Sequence, residues 1–323
     1  MRLTDNMITG NYLQNLNRNM QDLSDTNTKV AAGRKYMKMS EDPASAVKAF
    51  DVRKDLNRID LYTSTLSDSQ ALLDEAETSL SSISETATNA LTQIIQGTNG
   101  SLGEADREAV ANTLRSYQQM ILGAANVKAS DRFVFGGSGF GTTPFTLDSS
   151  GKLLYNGQDV DNGTFSAEHR YVDIGIGLTV SSGGAVSSQT ALDVAYSGAE
   201  LLGTGVDANG LPNNLYNLIG EIADKIEAGD TSSIKAYTEK LEERSDDVRM
   251  QYVGIGEKSN YISFFADRLS SEKITSTSKQ KDIEGLSIEE GAIMFREQET
   301  MYNACLQMGT KILQPSLLDY LDT

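Results

Sequence analysis

The chain has very little of what catalytic and metal sites are usually built from. Among 323 residues there is one Cys, one His and no Trp. A single Cys excludes an intramolecular disulfide and any thiolate metal cage. Aromatics make up 7% and hydrophobic residues 39%, a composition closer to helical rods with thin cores than to enzymes with deep pockets. Positive charge is scarce: 28 Lys and Arg stand against 45 Asp and Glu, a net charge of −17. Such a surface repels phosphate backbones and anionic membranes, which argues against nucleic-acid binding. No run approaches the ~20 apolar residues of a membrane span. The first residues, MRLTDNMITGNYLQNLNRNM, lack the apolar core of a cleaved signal peptide. The expected location is the cytoplasm, unless export uses a route that needs no cleaved signal.

What is present is concentrated at the two ends. Leu13, Leu16, Met20, Leu23 and Val30 keep the alternating three–four spacing of a coiled-coil seam, with Asn27 as its polar member. Met294, Met301, Cys305, Met308 and Ile312 keep the same spacing, interrupted by Gln298. Each seam takes about two residues in seven, too narrow for a helix sunk in a globular core and suited to helix–helix packing. Six asparagines fall among the first 30 residues. Asn is a poor interior helix former but is useful where polar groups must be satisfied between helices. The ends are therefore expected to pair and to carry the interaction surface. A plainer alternative is that both seams are core faces of one helical bundle.

Four prolines, Pro43, Pro144, Pro212 and Pro315, punctuate the chain. Asp42 before Pro43 reads as an N-cap and first helical residue. The stripe that follows runs Ile59, Tyr62, Leu66, Ser69, Leu73, Ala76, Leu80, Ile83, Ala87, Ala90, Ile94, and predicts one long helix ended by Gly97 and Gly100. A third helix carries Val110, Leu114, Tyr117, Ile121 and Ala124. From Asp131 glycines crowd in and the helical period stops. The β-prone runs 133–135, 153–155 and 171–180 are separated by DSSG, NG and GG turn signals. Helix returns with Leu215, Ile219, Ile222 and Ile226. A second very long stripe follows: Ile234, Tyr237, Leu241, Val248, Ile255, Ile262, Phe265, Leu269. Ser287 and Glu290 form a capping box at the start of the last helix. The expected fold is mainly α with a β-rich insert. Terminal helices occupy 1–42 and 284–323, long antiparallel helices 43–130 and 213–283, and the insert 131–212. The insert is expected at the end of the long helices far from the termini.

Four segments resemble the bacterial flagellin family, and the second and fourth of them favour its junction members. Residues 1–47 (MRLTDNMITG to SEDPASAV) are similar to the family's amino-terminal helix and following turn. DRFVFGGSGFGTTPF (131–145) resembles the step into the outer β domain, YNGQ (155–158) the next strand and turn, and LQPSLLDYL (313–321) the carboxy-terminal tail. Pro315 stands where the family more often continues a helix, and Asp322 and Thr323 extend beyond the usual end. The resemblance implies a flagellin-like helical rod made from both chain ends with a small outer β domain. It also implies a non-enzymatic structural subunit of an extracellular flagellum, at the junction of hook and filament and reached through the flagellar type III export route. Its implied partners are the first hook-associated protein, flagellin, other copies of itself, and an export chaperone at the carboxy-terminal helix. Leu317 and Leu318 join the seam residues as subunit-interface candidates. The other readings are flagellin itself, or a stalked extracellular adhesin.

Other motifs have ordinary explanations. GGSGFG (136–141) is followed by Thr142, Thr143 and Pro144, where a dinucleotide fingerprint needs a helix. SAVK (45–48) and SSIK (232–235) match S-x-x-K, but the companion KTG and SDN motifs are missing. His169 has no second His or Cys nearby and reads as a strand-edge residue. Cys305 reads as a small apolar seam residue. EKLEERSDDVR (239–249) reads as a solvated helix face. No cofactor or metal is expected.

Overall fold

A computed structural model describes residues 2–98, 102–137, 139, 141–149, 151–187, 190–230 and 232–313, with side chains from Met7 to Lys311. In chain order the helices are α1 (Arg2–Ala32), α2 (Pro43–Gly97) and α3 (Glu104–Ala125). The short strands β1 (Lys128–Ala129), β2 (Arg132–Phe133), β3 (Phe145–Leu147), β4 (Leu153–Tyr155), β5 (Gln158–Asp159), β6 (Tyr171–Asp173) and β7 (Ala191–Asp193) follow. The chain then forms α4 (Gly198–Leu202), α5 (Leu215–Ala228), α6 (Ile234–Glu284) and α7 (Ile288–Leu313). It divides into two compact units, one made of residues up to Ile59 with those from Ser271, the other of Asp60–Ser270.

The second unit is organised by α2 and α6. Leu66, Leu73, Leu80, Ala87 and Ile94 recur every seventh residue on α2, and Ile234, Leu241, Val248, Ile255 and Ile262 do so on α6. All ten are at most 2% exposed. Two cross-bonds set the register: Gln70 Nε2 donates to Ser259 Oγ at 2.7 Å and the Tyr252 hydroxyl to Glu77 at 3.0 Å. One heptad forward on α2 is thus one heptad back on α6. An antiparallel seam follows, each buried Leu or Ile stabilising it by ~1.5–3 kcal/mol relative to exposure.

α3 doubles back along α2, where Ser79 donates to the Ala124 carbonyl at 2.6 Å. Its buried face is Ala111, Leu114, Gln118, Ile121 and Ala125. That face is turned from the expected stripe, because α5 covers one side of α3 and Gln118 donates to the Tyr216 carbonyl at 2.8 Å. Asn214 caps α5. Its side chain accepts from the amides of Tyr216 and Asn217 at 3.0 and 3.3 Å and donates to the Gly203 carbonyl at 2.9 Å. Gly229, at φ 76°, ends the helix.

The insert contains three small antiparallel sheets, β1–β2, β3–β4–β5 and β6–β7. Asn156 and Gly157, both at positive φ, join β4 to β5 in a tight Asn–Gly hairpin turn. The Tyr155 hydroxyl is its hub, lying 2.9 Å from the Glu168 carboxylate and 3.2 Å from the Phe135 carbonyl while accepting from the Gly198 amide at 3.3 Å. The insert does not cap the far end of the α2–α6 pair, which corrects the expectation. Gly175 packs against Tyr62 and Leu269, Lys258 lies over the Tyr196 ring at 4.3 Å, and Gln251 donates to the Glu200 carbonyl at 2.8 Å. The reason is the length of α3. Its 22 residues carry the chain back by about 33 Å before β1 begins. The insert is therefore launched from the flank of the helices, where Asn126 clamps both backbone groups of Phe145 at 2.9 and 3.0 Å.

Candidate interaction surface

The first unit brings the two ends of the chain together. α2 opens as its sequence dictates, with Asp42 accepting from the Ser45 amide at 3.0 Å. Bonds from the Ser45 side chain and then its amide hold the Asp42 carboxyl below its ordinary range. α7 opens on Ser287, whose hydroxyl accepts from the Glu290 amide at 3.1 Å. The segments beside them are stitched by backbone bonds: Lys35 N–H to the Glu284 carbonyl at 2.8 Å and Leu286 N–H to the Gly33 carbonyl at 2.9 Å. Gly33, at φ 62°, lets α1 end in the left-handed region. The Glu284 side chain is almost fully buried and is bonded by Arg53. Burial and then the Glu284 charge raise the neighbouring Tyr36 hydroxyl above its ordinary range.

α1 and α7 pack antiparallel along most of their length. Two glycines fix the register. A methyl at Gly291 would lie 3.3 Å from Val30, and one at Gly309 would lie 2.0 Å from the Tyr12 hydroxyl. The same stretch of chain separates the two contacts on each helix. The inward rows are Tyr12, Leu16, Asn19, Leu23, Thr26 and Val30 against Gly291, Phe295, Gln298, Tyr302, Cys305 and Gly309, all buried or half-buried.

This arrangement splits the two sequence-predicted seams. Leu16, Leu23, Val30 and Cys305, a free thiol, face the partner helix. Leu13 and Met20 are 50% and 53% exposed, and Met294, Met301 and Met308 are likewise open. The Ile312 side chain, and Leu317, Leu318 and everything after Pro315, lie outside the described residues. Sequence reasoning missed Tyr12, Asn19, Thr26, Phe295, Tyr302 and both glycines. Their signal was present in Gly291 and Gly309, which make no sense on an isolated helix. Leu13 and Met20 directly follow inward residues of α1, whereas the three methionines directly precede or lie beside inward residues of α7. In an antiparallel pair those two positions lie on opposite flanks. The pair thus carries one open apolar row on each side.

The remaining motifs take ordinary places in the fold. His169 Nδ1 lies 2.6 Å from Asp193, and its ring stacks on Tyr171. Among the described residues no group of three or more His, Cys, Asp or Glu could hold a metal ion. Ser232 is bonded to Asp230 at 2.6 Å, while the largely exposed Lys235 pairs with Glu239 at 3.8 Å. The run at 239–249 forms i,i+3 ion pairs, Lys240–Glu243 at 3.0 Å and Arg249–Asp246 at 2.6 Å among them. The strand after the glycines at 136–141 is β3, not a helix. No described helix is long and apolar enough to cross a membrane.

Long antiparallel helices from both ends of the chain, with a small β insert between them, give a flagellin-like fold. In agreement, residues 3–138 match the family model for the bacterial flagellin N-terminal helical region. More particularly, the chain is similar to flagellar hook-associated protein 3 of Escherichia coli strain K12, at 21% identity over 161 residues, covering 50% of each chain. The match thus spans about half the length of that curated relative. A flagellar hook-associated protein of Vibrio parahaemolyticus superposes with a TM-score of 0.61 at 22% identity, covering 76% of this chain and 100% of its own. The flagellar junction protein of Legionella pneumophila gives 0.52 at 14% identity, covering 73% and 99%. These structural likenesses establish the fold.

Proposed function

We propose that the chain is a structural subunit of the bacterial flagellum that joins hook to filament and lets flagellin assemble on it. The observation that carries this reading is the α1–α7 pair with an open apolar row on each flank. Rows facing opposite ways suit a head-to-tail contact, in which one subunit's left side meets the next one's right, and such contacts generate rings and helical tubes. Each Leu or Met buried there adds roughly 1.5–3 kcal/mol. Leu16, Leu23, Val30 and Cys305 hold the pair itself. Leu13, Met20, Met294, Met301 and Met308, with Ile312, Leu317 and Leu318, meet neighbours. The relatives favour a junction role over that of the filament subunit.

On this reading the unlike neighbours are the first hook-associated protein on the hook side and flagellin on the filament side, with copies of this chain alongside. The subunit reaches the outside of the cell through the flagellar export route, and a chaperone holds the carboxy-terminal helix until then. Deletion of the gene in its host tests the role. Hooks without filaments, with flagellin released into the medium, are expected. Normal filaments on the deletion strain would refute the junction role. Complementation with Met308→Asp is expected to fail although the protein is made and folded, because a charge would be buried against the neighbour.

A further inference from the structure

Methionine is distributed unusually in this molecule. It is ordinarily among the more buried residue types. Here all nine methionines with described side chains are exposed, from 36% at Met294 to 73% at Met250. Seven of the nine, Met7, Met20, Met37, Met39, Met294, Met301 and Met308, belong to the unit that contains the two terminal helices. Met294, Met301 and Met308 recur every seventh residue along one flank of α7. A Leu row would offer similar apolar area. A thioether row adds two properties: an unbranched side chain that adapts to differently shaped neighbours, and sulfur that can be oxidised reversibly.

Resting on the reading of α7 as an assembly surface, we propose that Met294, Met301 and Met308 are reversible oxidation sites whose conversion to sulfoxide closes that flank to the terminal helices of a second copy of this chain. The oxidant is a peroxide. The thioether sulfur attacks one peroxide oxygen and the O–O bond breaks. One oxygen stays on sulfur and the other leaves as water. Sulfur loses two electrons and the peroxide gains them. The product is polar and chiral where the contact needs an apolar side chain, and methionine sulfoxide reductases return it to the thioether. Because the three side chains lie on the flank, outside the inward row of α7, the change leaves the α1–α7 pair intact.

The experiment uses purified full-length protein, treated or not with hydrogen peroxide, added to filament-less hooks of the deletion strain. Oxygen uptake at each Met is mapped by peptide mass spectrometry. Treated protein is expected to carry sulfoxide at all three α7 sites, to keep its far-UV circular dichroism, and to incorporate roughly tenfold less or worse. Sulfoxide reductases should restore incorporation. A Met20→Leu background removes the thioether of the opposite flank, and Met20→Leu alone should stay sensitive. Adding Met294→Leu/Met301→Leu/Met308→Leu to it should leave treated and untreated samples incorporating to the same extent, although Met120 and Met250 still oxidise. Oxidised wild-type protein that incorporates as well as untreated protein would overturn the proposal, as would a fully substituted variant that remains sensitive, a Met20→Leu variant that loses sensitivity by itself, or reductase treatment that restores nothing. Failure of the untreated wild-type protein to incorporate would instead refute the assembly reading, and this proposal with it.

Discussion

The hydroxyl end of Tyr12 occupies the space a side chain at Gly309 would need. A methyl there would sit 2.0 Å from the hydroxyl oxygen and 2.4 Å from the ring carbon that bears it. In a helix interior Gly→Ala normally gains about 0.5–1 kcal/mol. Here the sign should reverse, since Tyr12 must leave its place against α7 and overpacking costs roughly 1–3 kcal/mol. Gly309→Ala is expected to loosen the α1–α7 pair, and Tyr12→Ala in the same chain to recover part of the loss. A double-mutant cycle on helix content and thermal unfolding measures the coupling. Additive effects would mean the two residues do not meet.

The α2–α6 seam makes a sharper claim about magnitude. Leu73 and Leu80 are fully buried, while Leu61 on the same helix is 64% exposed. Leu73→Ala or Leu80→Ala should cost about 2–5 kcal/mol by denaturant unfolding, and Leu61→Ala no more than about 0.5 kcal/mol. Equal effects at Leu61 and Leu73 would show that the seam is placed wrongly.

Tyr155 gives the insert a response to alkali. Burial, the largest cause, pushes its hydroxyl from 10.0 up to about 12. The folded value lies above the unfolded one. The neutral hydroxyl's contribution is therefore complete below pH 10 and is lost as pH rises through about 12. Ultraviolet titration should find Tyr155 among the late-ionising tyrosines, since burial raises Tyr196 and Tyr237 as well, and its own ionisation should coincide with loss of insert structure. Tyr155→Phe should abolish that step and cost about 1–3 kcal/mol at neutral pH, by stranding polar groups around it. Loss of the insert well below pH 10 would contradict this origin.

The terminal helices should be weakly held in a free subunit. Their pair has one inward face, and much of its apolar surface is open. Ordering the backbone costs about 1–2 kcal/mol per residue, which one narrow seam scarcely offsets. Hydrogen exchange on dilute monomer is expected to be fast before about Ser40 and after about Gly285, and slow at Leu66–Ile94 and Ile234–Ile262. Equal protection of both regions would show that the ends need no neighbour.

The sequence alone determined the long helices and their boundaries. Of the eleven stripe positions between Ile59 and Ile94, all but Tyr62 are buried. The Asp42–Pro43 start, the Ser287 cap and the Asn156–Gly157 turn are also where the sequence puts them. A seam repeated over many heptads leaves one rotation that buries it, and caps and turns depend on neighbouring residues only. Tertiary structure decided the rest. A terminal seam two residues wide can be turned by a fraction of a helical turn at little cost. It was the fit of Tyr12 over Gly309 and Val30 over Gly291 that sent Leu16 and Leu23 inward and left Leu13, Met20 and the three α7 methionines on the flanks. The insert's seat beside Tyr62 and Leu269 was set by how far α3 runs back before β1 begins, a distance between elements that no local pattern encodes.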